Sequence, residues 1–104
     1  MMPGDLLVHC TILECGRPMK KFGPIAHLNY IPQEGITWEE TRIFLKTGNF
    51  VLKVETPGGL LTIPTIVDTA NSFSGHPALM ASLGEGFDAN RIPEGCLAWL
   101  ERVG

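Results

Sequence analysis

Residues 49 to 67, NFVLKVETPGGLLTIPTIV, constrain the fold more than any other part of the chain. Phe50, Leu52 and Val54 alternate with Val51, Lys53 and Glu55, and a Pro-Gly-Gly break follows before a second β-rich run. Alternation with period two around a turn dipeptide is the pattern of a β-hairpin with one buried and one wet face. In the returning strand Pro64 has no N–H to donate, so it belongs on a sheet edge, at a bulge or at a strand end. The glycines of ETPGGLL do not make a phosphate loop, because neither a following Lys-Ser/Thr nor a helix start accompanies them.

A hairpin needs partners, and the N-terminal third supplies candidates. In DLLVHCTIL, residues 5 to 13, Leu6, Val8, Cys10 and Ile12 alternate with Leu7, His9, Thr11 and Leu13. Both sets are mostly apolar, which predicts an interior strand. The segment CGRPMKKFGP reads as a turn or mobile connection, and IAHLNYI as a second strand closed by Pro32.

Helices are expected at three places. Thr37 caps a helix over residues 38 to 47, with Glu40 three positions on completing a capping box and Gly48 closing the far end. Trp38, Thr41, Phe44 and Leu45 share its core face, leaving Ile43 outside that face near Glu39 and Glu40. A short helix is expected from Pro77, whose fixed φ suits a first helical position. PEGCLAWLERV is read as a last helix, with Cys96, Leu97, Trp99, Leu100 and Val103 docking on the sheet. The whole is expected to be one α+β domain over residues 1 to 104: a small antiparallel sheet of about four strands packed on one face by two or three short helices, not a βαβ crossover fold.

Composition narrows the function. Eleven acids against eight bases give a formal charge of −3 with no basic stripe, which argues against nucleic acid. No apolar run is long enough for a spanning helix, so no membrane partner is expected. Three cysteines, an odd number behind no leader-like start, point to a reducing cytoplasm. Charged residues make up 18% of the chain, against about 25% in average soluble proteins. A small domain exposes proportionally more surface than a large one, so this deficit implies that part of the exterior is covered by a partner.

Residues 67 to 80, VDTANSFSGHPALM, hold the one tempting catalytic group: Asp68, Ser72, Ser74 and His76. A nucleophilic serine needs a base within hydrogen-bond reach and an orienting acid, usually recruited from distant parts of a fold, and the stretch lacks the G-x-S-x-G elbow. Caps and turn bonds account for these residues more simply. The histidines and cysteines lack paired zinc spacing, so no metal or cofactor is expected. If the first two strands pair, His9 and His27 are candidates to meet across them.

The resulting expectation is a non-catalytic interaction protein, a small subunit, adaptor or inhibitor with a protein partner or a second copy of itself. Its binding residues would be Glu39, Glu40 and Ile43 on the helix and Pro64 on the sheet edge. The alternative is a small enzyme or ligand-binding protein with its site in the loop of residues 68 to 76, built from Asp68, Ser74 and His76, with His27 nearby. A ligand pocket between the sheet and the terminal helix is a third reading.

Overall fold

The computed structural model describes residues 7–19, 23–71 and 77–103. In chain order the elements are β1 (Leu7–Met19), β2 (Gly23–Tyr30), α1 (Trp38–Leu45), β3 (Phe50–Thr56), β4 (Gly59–Thr65), β5 (Val67–Asn71), β6 (Pro77–Ser82), a 3₁₀ turn (Ala89–Arg91) and β7 (Leu97–Arg102). All seven strands form one sheet, ordered β4-β3-β7-β1-β2-β6-β5, and every neighbouring pair is antiparallel.

The ends of this order cannot lie far apart. Seven strands laid flat would separate β4 from β5 by about 29 Å, at about 4.8 Å per spacing. Ile66 alone links the last residue of β4 to the first of β5, and two peptide units reach about 7 Å at most. The sheet therefore rolls until its two edges meet at this corner. Ser82 at the end of β6 fastens it, donating its N–H to Ile66 O at 3.0 Å and accepting at its carbonyl from Thr65 Oγ1 at 2.7 Å.

Rolling encloses one face. Phe50, Leu52 and Val54 of β3, Ala98 and Leu100 of β7, Val8, Cys10 and Ile12 of β1, Ala26 and Leu28 of β2 and Leu79 and Ala81 of β6 all belong to a single buried cluster. These are every second residue of their strands, as an enclosed sheet face requires. Two register shifts in β1, between Ile12 and Glu14 and between Cys15 and Arg17, bend that long strand around the core. Gly23, at φ +70°, begins β2; a Cβ there would lie 2.8 Å from the Gly84 carbonyl oxygen, so only glycine lets the two chains approach.

The expected helix at Thr37 is present with both arms of its capping box: Glu40 N–H donates to Thr37 Oγ1, and Thr37 N–H to Glu40 Oε1, each at 3.1 Å. Thr41, Phe44 and Leu45 are buried. Tyr30 ties the helix to β2 through a 3.0 Å bond with Thr41 Oγ1 and a ring contact to Trp38 at 5.0 Å. Phe44 meets Phe50 edge-on at 5.4 Å.

The expectation of a four-stranded sheet packed by two or three helices is overturned: there are seven strands and a single short α-helix among the described residues. Residues 97 to 102 are strand β7, inserted between β3 and β1. A run apolar on both sides satisfies the helical period and the strand period alike, and here Ala98 and Leu100 face inward while Trp99 lies on the outer face opposite His9 and Lys53. Pro77 opens strand β6 and not a helix, because a strand's first residue also tolerates a missing N–H. The segment after Asp68, expected to be irregular, continues as β5 to Asn71. CGRPM, expected as connection, is the end of β1, its glycine lying at the second register shift.

Candidate functional site

Asp68 lies exposed on β5, and its Oδ1 accepts the N–H of Thr69 at 2.9 Å, a local bond of the kind that satisfies a strand start. Ser72, Ser74 and His76 lie outside the described residues. His27 and Asp68 both stand opposite Met80, one on each side of β6. Two strand spacings, about 10 Å, separate their backbones, so Met80 intervenes between base and acid. His9 and His27 do not meet: Cys10 pairs with Tyr30 while His27 pairs with Glu14, which leaves the histidines about four residues apart along the ladder. His9 Nδ1 lies 2.7 Å from Gln33 Nε2, whose amide also donates to Leu7 O. Among the described residues no group of three or more His, Cys, Asp or Glu is placed to hold a metal ion.

On α1 the two glutamates are engaged within the helix. Glu39 pairs with Arg42, whose hydrogen bond holds its carboxyl below the usual range. Glu40 is held low first by the Thr37 N–H and then by the Thr37 hydroxyl. Ile43 is 55% exposed on the side away from the core. On the outer face of the sheet Lys53 meets Glu101 at 2.9 Å, and the Lys53 bond, with a further bond from Trp99, lowers the Glu101 carboxyl.

The edge strand β4 is different. Pro64 sits on it, as its missing N–H requires, exposed and opposite Val51. Because Pro64 has no N–H to give β3, its main chain belongs to the alternate set that faces away from β3; the register is unbroken from Thr56–Gly59 to Phe50–Thr65, so Leu60 and Thr62 belong to the same set. Among the described residues none of these three makes a main-chain bond beyond the hairpin. Edge strands are usually blunted by charge, yet no charged residue occurs from residue 56 to residue 67.

Where β4 passes into β5 the surface is apolar. Ile66 is 70% exposed and Val103 59%, and with Val51 and Pro64 they line a groove of about 420 Å³. At the opposite end of the same strand Leu60 is 53% exposed next to the Pro57-Gly58 turn. Of the residues named from the sequence, only Pro64 belongs to this region; Leu60, Thr62 and Ile66 were missed. Their signal was available in the twelve uncharged positions in a row.

The chain matches no family model, no curated protein and no solved structure.

Proposed function

We propose that this protein works by binding, without catalysis, and that the free edge of β4 with the groove at its end is the surface that receives another polypeptide. The observation that carries the reading is an edge strand, unpaired on its outer side among the described residues, that carries no charge of its own and presents exposed Leu60, Pro64 and Ile66. A bare edge offers main-chain hydrogen bonds to an incoming strand, and the groove offers a seat for an apolar side chain; together these are the elements of recognition by strand addition. The shortage of charge across the whole chain accords with a surface meant to be covered. We place the protein in a reducing cytoplasm, in keeping with free thiols at Cys10 and Cys96, and expect neither nucleic acid nor a membrane as partner. Among the described residues no helix is long and apolar enough to cross a membrane.

The test is a photo-crosslinking side chain introduced in the producing cell at Thr62, with Lys46 on the exposed end of α1 as control. Capture of a polypeptide from position 62 and not from position 46 is the expected result. Equal capture from both, or none from either, overturns the reading.

A further inference from the structure

The edge of β4 is complementary to itself, and we infer that its occupant is a second copy of this chain, paired antiparallel about a two-fold axis at Thr62. This rests on the reading of β4 as a binding edge and goes further by naming the partner and the register.

The main-chain groups allow this register, and the side chains select it. With Thr62 opposite its own copy, the two Thr62 residues exchange both N–H···O bonds, and each Leu60 N–H donates to the partner's Pro64 carbonyl. Every outward N–H of the strand is then used, and the only donors missing are those that proline lacks. Sliding one strand by two residues so that Thr62 faces the partner's Pro64 carries Leu60 beyond the end of the partner's β4; the opposite slide, with Thr62 facing the partner's Leu60, uses the same N–H groups but takes Leu60 off the partner's Pro64 and its groove.

Side chains agree with the same register. Leu60 of one copy comes to lie against the partner's Pro64, at the mouth of the groove formed by Val51, Pro64, Ile66 and Val103. The two-fold axis makes this contact twice, each copy contributing one exposed leucine and one apolar groove. Thr62 meets Thr62, a favourable cross-strand pair.

Charge does not oppose the pairing, although each copy carries a formal −3. Among the described residues the ionic residue of β3 that stands level with the axis on the outer face is Lys53, opposite Thr62, and it is already paired with Glu101. Three strand spacings, about 14 Å, would separate Lys53 from its counterpart, beyond the screening length of about 8 Å at physiological salt. A β4 carrying even one lysine or glutamate at position 62 would bring like charges face to face at the axis.

The experiment combines sedimentation velocity with Thr62→Cys. The wild-type protein is expected to sediment as a dimer that dissociates on dilution. Thr62→Cys is expected to form a disulfide between the two copies at position 62, since directly opposed hydrogen-bonded residues have Cα atoms about 5.5 Å apart, within disulfide reach. Ile43→Cys, on α1, is expected not to couple. Leu60→Glu, with an unchanged circular dichroism spectrum, is expected to raise the dissociation constant about tenfold or more. A wild-type monomer at all concentrations, or a dimer in which the thiol introduced at position 62 stays reduced under mild oxidation, overturns the inference. If position 62 nonetheless captures a different polypeptide in the cell, the binding edge stands and only the self-pairing falls.

Discussion

β7 and β4 are strands of nearly equal length in the same sheet, and their sequences invert the usual association of charge with exposure. β7 ends in Glu101 and Arg102 yet lies in the interior of the order, hydrogen-bonded on both sides, with Leu100 fully buried between Val8 and Leu52. β4 carries no charge at all yet, among the described residues, has a neighbouring strand on one side only. At the centre a charge is harmless because it sits on the outer face of an already paired strand, where Lys53 meets Glu101. At an edge the absence of charge leaves the strand open to another chain. The centre thus serves stability and the edge serves association, and substitutions should separate the two.

The largest effect on stability belongs to the centre. Leu100→Ala removes a fully enclosed side chain where the flanking strands cannot collapse, and should cost about 2–5 kcal/mol in a urea titration. A loss under about 1 kcal/mol would mean that β7 is not the middle of the core. Cys10, one strand over, sharpens the same side of the comparison. Burial pushes its thiol from 9.0 up to about 12, which leaves about a thousandfold less thiolate than an ordinary cysteine near pH 8. In alkylation with mass detection Cys10 should stay unlabelled until the protein unfolds; prompt labelling in the native state would place it outside the core.

Acid should act on the ionic decoration and spare the edge. Glu39, Glu40 and Glu101 have carboxyls held below their ordinary range by Arg42, Thr37 and Lys53 respectively. A group with a depressed folded pKa stabilises above its unfolded pKa and loses that contribution as pH falls through the folded value. The urea midpoint should therefore drop modestly as pH is lowered through the carboxylate range, while association through β4, which has no titrating side chain, changes little over the same range. The smallest stability effect is that of Thr62→Lys: an exposed edge position should change the unfolding free energy by less than about 0.5 kcal/mol. Association should nevertheless weaken sharply in sedimentation. A variant that destabilised the fold as strongly as Leu100→Ala would erase the distinction between the two strands.

Elements governed by local chemistry could be read from the sequence. The Thr37–Glu40 box, the Pro57-Gly58 turn with its alternating flanks and the edge position of Pro64 each follow from interactions within a few residues. β6 and β7 could not be read that way. Proline fits the first position of a helix or of a strand, and CLAWLERV groups as well around a helix as across a pleat, so only the neighbours decide. Those neighbours are remote: β7 pairs with β1 from the opposite end of the chain. The rolled corner at Ile66 was equally hidden, because it arises from the order of seven strands and from no motif. With it went the exposed apolar groove, whose trace in the sequence is Pro64 and the uncharged run from residue 56 to residue 67.

Residue-resolved amide hydrogen exchange over a range of protein concentrations tests the β4 edge most directly. Leu61 and Ile63, bonded to β3, should be protected at every concentration. Leu60 and Thr62 should exchange rapidly in dilute solution and become protected as concentration rises through the dissociation constant. Rapid exchange of Leu60 and Thr62 that does not respond to concentration, or protection of both at high dilution, would contradict the claim that this edge is open in the single chain and closed by a second one.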